Sequence, residues 1–128
     1  MIHTQINFES ETPIYVQIAE QIEDGILSGA FPPETQVPST TELSVSYRIN
    51  PATVLKGMTI LTDCNILYKK RGVGMFVKDG AAGRILANRR QTFYEHFVVN
   101  LLREADKLGI GRTELIEMIK KEENTDGN

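Results

Sequence analysis

Tryptophan is absent from the 128 residues, cysteine occurs once and histidine twice, and these scarcities exclude a good deal. A lone cysteine permits no internal disulfide, so a reducing compartment is the expectation. Cys64 reads as a small buried hydrophobe rather than a nucleophile. His3 and His96 stand far apart, which leaves no metal-ligand spacing and no His-based catalytic pair, and no metal or other cofactor is expected. No apolar run approaches the roughly 18 residues of a membrane span. The first ten residues, MIHTQINFES, have neither the basic region nor the apolar stretch of a secretory signal, so the cytoplasm is the expected location.

The first 47 residues also lack any Lys or Arg, although they carry seven acids. The net charge of −3 and pI near 5.4 would by themselves argue against a nucleic-acid partner. The distribution says otherwise. Residues 48–78 hold Arg48, Lys56, Lys69, Lys70, Arg71 and Lys78 against Asp63 alone, a local charge of +5. Residues 79–128 are close to neutral, at −1. The positive field is thus confined to one short stretch.

Apolar residues make up 41% and charged residues 24% of a chain shorter than the roughly 150 residues of an average domain, so one small folded domain with an appendage is expected. Ile2, Ile6 and Phe8 alternate, which predicts a short strand or arm over residues 1–12. Thr12-Pro13 reads as a cap followed by proline, opening a helix over about 13–28 with Ile14, Ile18, Ile22 and Ile26 on one face. Ser28-Gly29 stops it. Residues 30–38 form a proline-rich connection. Ser39 and Glu42 have capping-box spacing and start a short helix over about 40–47, with Leu43 and Tyr47 inward. Asn50-Pro51 starts another, with Val54, Met58 and Leu61 buried and Cys64-Asn65 at its end. Two helices joined by so short a turn cross steeply, as in a helix-turn-helix. ILYKK and MFVK around RGVG then predict a β-hairpin with a basic, glycine-rich tip. Helix, helix-turn-helix and hairpin in this order make a winged helix.

The fold class expected is mainly α with a small β wing: an N-terminal winged helix-turn-helix over 1–78, a two-helix dimerisation segment over 79–122, and a disordered tail over 123–128. DGAAG marks the boundary. Beyond it a helix over about 84–108 carries two adjacent apolar stripes, more than one neighbouring helix can cover. Gly109-Ile110-Gly111 breaks the chain before a last helix over about 112–122. The dimer interface is assigned to Leu86, Phe93, Tyr94, Phe97, Val98, Leu101, Leu115 and Ile119.

PIYVQI at 13–18, PSTTEL at 38–43, NPATV at 50–54 and KKRGVGMFV at 69–77 together resemble the signatures of GntR-type winged-helix repressors. The NP-x-TV form and short tail are similar to the YtrA-like subfamily, in which two helices serve for dimerisation. The resemblance implies a cytoplasmic bacterial transcription regulator that binds a pseudo-palindromic operator as a homodimer. It also implies target genes near transporters for envelope stress or drug efflux. The chain departs from the family pattern where Thr41, Pro51 and Leu55 stand at positions that often carry arginine, which leaves no bidentate guanine contact there. Asn65 replaces a usual glycine, and Gly111 replaces a capping serine.

Double-stranded DNA asks for cations near phosphates and side chains that reach base edges. Pro51, Ala52, Leu55 and Lys56 face outward on the third helix, where Ala52 and Leu55 suit thymine methyls and Lys56 a guanine or a phosphate. Ser39, Thr40 and Thr53 lie at helix starts, where hydroxyls and free N–H groups suit phosphate, and Thr41 beside them is counted with the DNA-binding residues. Ser39 and Asn50 serve equally as plain caps. At the wing, Lys69, Lys70 and Arg71 supply charge, while Gly72 and Gly74 permit close approach or simply turn the chain. An enzyme finds no support, because RGVG precedes a strand and lacks the Lys-Ser/Thr pair of a phosphate-binding loop. A winged helix used only for protein contacts stays open as the alternative, given the three missing arginines. The tail is too small for a dedicated effector domain, and a pocket between subunits at Phe93, Tyr94 and Phe97 stands beside the plainer reading of interface core.

Overall fold

The computed structural model describes residues 6–125. Ile2, His3 and the last three residues of the expected tail lie outside them. Two compact units divide the chain between Ala87 and Asn88.

The first unit is helical with one hairpin: α1 (Ile14–Leu27), α2 (Thr40–Tyr47), α3 (Pro51–Asp63), β1 (Leu67–Lys70), β2 (Gly74–Val77) and the start of α4 (Ala81–Phe93). The four-residue isoleucine ladder of α1 buries Ile18, Ile22 and Ile26 against Val54, Met58 and Leu61 of α3. Ile66, Leu67 and Val77 of the hairpin region, with Ala81 and Ile85 of α4, complete this core. The strands pair antiparallel, with Leu67 opposite Val77 and Lys70 opposite Gly74. The preceding connection joins them: Glu34 N–H donates to Val77 O at 2.8 Å, Val77 N–H to Thr35 O at 3.0 Å and Val37 N–H to Met75 O at 3.0 Å. That connection therefore braces the free edge of β2.

Three local expectations need correction. Within the described residues, 8–12 run through turns rather than a strand, with Phe8 exposed. The Gln17 side chain holds them, accepting from Asn7 N–H at 2.8 Å and donating to Asn7 O at 2.9 Å and Thr12 O at 2.8 Å. Thr12 is accordingly not a cap; Pro13 occupies the cap position with no side-chain bond. Cys64 is exposed, because it is the C-cap of α3 and lies beyond the helix's buried face.

Gly57 sets how closely α1 and α3 approach. A Cβ there would lie 2.6 Å from the backbone oxygen of Tyr15. Gly57→Ala should cost about 1–3 kcal/mol through overpacking. Urea unfolding checks this, with a fall in midpoint at constant slope as the expected result.

In the second unit the latter part of α4 passes into a π-helical turn (Tyr94–Val98), α5 (Val99–Lys107), α6 (Arg112–Lys121) and a 3-10 turn (Glu122–Thr125). That last turn takes in the start of the segment expected to be disordered. Only Ala105 and Leu115 are buried among the described residues of this unit. No described helix is long and apolar enough to cross a membrane.

Candidate nucleic-acid interface

The start of α2 is built by its cap. Ser39 Oγ accepts from Glu42 N–H at 3.0 Å, and Glu42 Oε1 accepts from Ser39 N–H at 2.8 Å. The N–H groups of Thr40 and Thr41, in the first turn, have no partner within the helix and carry its positive end. Arg48 closes α2 in the left-handed conformation, φ 57°, and is exposed in the turn. α3 then starts at once, because Asn50 Oδ1 accepts from Ala52 N–H at 2.8 Å and Pro51 needs no donor partner.

α3 presents Pro51, Ala52, Leu55 and Lys56 to solvent, with Leu55 56% exposed, while Thr53 is half-buried. The Lys56 ammonium lies over the Tyr15 ring of α1, 4.1 Å from its centroid. Tyr15, Ala52, Leu55 and Lys56 line one shallow depression beside α3. On its other side Ser39, Thr40, Thr41, Leu55, Lys69 and Gly74 line a groove of about 650 Å³ between α2, α3 and the hairpin. Leu55 and Thr59, one turn apart on α3, form the ridge shared by both. Pro51, Thr53, Lys70, Arg71 and Gly72 line neither.

At the hairpin, Lys69, Lys70 and Arg71 are exposed. Lys70 Nζ sits 4.2 Å from the Phe76 ring centroid. Gly72 takes φ +77° with open space around its Cα, so it turns the tip. Gly74, at φ +149°, is pressed by the Gln36 side chain, which donates to Val73 O at 2.9 Å; its lack of a Cβ has a sufficient cause inside the chain. The Tyr68 hydroxyl donates to Glu34, and that bond, with the carboxylate's charge, pushes the phenol pKa up. Tyr15, Gln36, Thr59, Thr62 and Tyr68 join these surfaces without having been assigned to them from the sequence, and Lys78, counted there only in the positive stretch, lines the groove as well. Tyr15, Gln36, Tyr68 and Lys78 meet partners distant in the chain, which no local pattern announces, whereas Thr59 and Thr62 bond back to Leu55 O and Thr59 O within α3.

The second unit has a different surface. Phe93 and Phe97 stack with centroids 5.4 Å apart and are open to solvent, Phe97 at 65%. Leu86 of α4, within the first unit, and Tyr94, Leu101 and Ile119 are exposed, while Val98 is half-buried. Leu115 differs from the expectation, since it is buried within the unit itself.

Residues 14–77 match the profile of the family described as bacterial regulatory proteins, gntR family. The transcriptional repressor YtrA of Bacillus subtilis is 32% identical over 91% of this chain and 89% of its own length. A crystal structure of a GntR-family regulator from Bacteroides thetaiotaomicron superposes with a TM-score of 0.73, at 33% identity over 89% of this chain and 99% of that one. The DNA-binding domain of AraR, solved in complex with an operator, superposes with a TM-score of 0.52, at 27% identity over 59% of this chain and 99% of that one. Family profile, full-length identity to YtrA and shared winged-helix fold agree: the chain belongs to the GntR family of bacterial regulatory proteins and is a transcription regulator, not an enzyme.

Proposed function

We propose that the protein is a sequence-specific DNA-binding repressor that recognises a pseudo-palindromic operator as a homodimer in the cytoplasm. One observation carries the reading most. The capped start of α2, the exposed side of α3 and the cationic hairpin tip belong to one unit, and residues 48–78, which hold α3 and the hairpin, concentrate the positive charge. In AraR a domain of the same fold is bound to an operator, which supports the same role for residues 1–78 here.

In this reading Thr40 and Thr41 bind phosphate through the start of α2, helped by Ser39, and Thr53 does so at the start of α3. Pro51, Ala52 and Leu55 enter the major groove, where Ala52 and Leu55 meet thymine methyls. Lys69, Lys70, Arg71 and the glycine tip bind the backbone beside the groove. Self-association falls to residues 79–122 through Leu86, Phe93, Tyr94, Phe97, Val98, Leu101 and Ile119. A gel shift with the gene's own promoter region tests the reading: a retarded band that survives excess random DNA is expected, whereas no such band favours a protein-interaction module.

With Thr41, Pro51 and Leu55 in place of arginines, the half-site should be richer in A·T than in arginine-bearing relatives. Lys56 rests on Tyr15 in the free protein, so it reaches DNA only by leaving the ring or by meeting a phosphate beside it. Lys56→Ala should cost about 1–3 kcal/mol and relax one base pair if Lys56 holds a guanine, or weaken all sequences alike if it holds a phosphate. Thr41→Arg should raise affinity and shift preference toward guanine. Binding measured against a panel of single-base operator variants separates these outcomes.

A further inference from the structure

We infer that the groove between α2, α3 and the hairpin is a binding site for a small apolar anion, and that its occupation excludes DNA; the second clause rests on the function proposed above. At about 650 Å³ the groove has the size of a small-molecule site rather than of a surface wrinkle. Its lining is mostly apolar, with Leu55, Met58, Leu67 and Met75 among the walls. A phosphodiester chain has no apolar body to place there. Met75, half-buried on β2, makes one wall adaptable to a flat or chain-like hydrocarbon, while Met58 belongs to the packed core beneath.

The charge of the lining selects the head group. No lining residue is acidic, while Lys69 and Lys78 both reach the groove. Lys78 Nζ is already held by Asn65 Oδ1 at 3.1 Å, which leaves Lys69, exposed on β1, as the mobile cation. The free N–H groups at the start of α2 add donors at the end lined by Thr40 and Thr41. A cation would find no partner in this lining, and a neutral hydrocarbon would leave these donors unused. A carboxylate or sulfonate on an apolar body satisfies both halves. Because Thr40, Thr41 and Lys69 are also phosphate ligands in the proposed complex, the ligand and DNA compete for them.

The experiment titrates naphthalene-2-sulfonate into the full-length protein and follows backbone amide resonances. Saturable shifts below about 1 mM are expected at Thr59, Thr62, Tyr68 and Met75. The neutral analogue naphthalene-2-methanol should bind at least about fivefold more weakly. Thr62→Trp, which fills the groove, should weaken the sulfonate at least about tenfold; Lys69→Ala, on an exposed position, should reduce the preference for sulfonate over the alcohol, the remainder resting on the start of α2 and Lys78. Shifts confined to residues 88–121, equal affinity for sulfonate and alcohol, or no shifts at all overturn the site. In a second arm, the sulfonate should raise the apparent Kd of wild type for operator DNA in step with its occupancy. Groove shifts without that rise overturn the exclusion. A protein that binds no DNA refutes the proposed function, while the amide shifts still decide the ligand site.

Discussion

Phe97→Glu should convert the protein to a monomer that no longer holds its operator. Phe97 lies in the π-helical turn, stacked on Phe93 and 65% exposed, while Leu101, Leu108, Ile116 and Ile119 are exposed on the helices that follow. Two short helices with only Ala105 and Leu115 buried among the described residues leave these side chains uncovered, as the proposed self-association through this segment requires. A carboxylate among them would have to be desolvated without a partner on association, which costs several kcal/mol. Dimeric binding places two half-sites about one helical turn apart under one protein, so a monomer keeps only half of the contacts. The expected loss of operator affinity is at least about 100-fold, toward the level of non-specific binding. Sedimentation at micromolar concentration should give a dimer for wild type and for Phe97→Leu, and a monomer for Phe97→Glu. A Phe97→Glu protein that stays dimeric removes this surface from the account.

The second large effect is expected at the hairpin tip. Replacing Lys69, Lys70 and Arg71 together with Ala removes three exposed cations from the end of β1 and the turn that follows. If each neutralises a phosphate, the slope of log affinity against log salt should fall by roughly 0.9 per contact, and binding at low salt should weaken by orders of magnitude. Operator and random DNA should suffer alike, because phosphate contacts carry no sequence information. The fold should survive, since none of the three side chains is buried; Lys70 loses only its place over the Phe76 ring. An unchanged salt slope, or a loss restricted to operator, would mean that the hairpin reads bases.

The starts of α2 and α3 were legible to the residue because capping is local chemistry. Ser39 with Glu42 and Asn50 with Pro51 carry their own hydrogen-bond partners within one helical turn. Asn65, in place of a usual glycine, adopts the left-handed conformation at φ 60°, which asparagine tolerates. Thr12-Pro13 displays the same cap pattern and misleads, because Gln17 engages Thr12 O from the next turn. One local feature escapes sequence periodicity: the π turn at Tyr94–Val98 inserts one residue and shifts the phase of the apolar positions on its two sides. What was not legible depends on long-range packing. Lys56 meets Tyr15, Gln36 reaches Val73 and Tyr68 meets Glu34 only once the unit has folded. The groove beside α3 belongs to the same class, since its walls come from α2, α3 and both strands.

Selection from a random duplex pool with the purified chain puts operator recognition by a dimer to the test. An inverted repeat, A·T-rich in each half-site and with its halves about one helical turn or a multiple of it apart, should be enriched. A folded protein that enriches no sequence over the starting pool, or only an unpaired half-site, would contradict it.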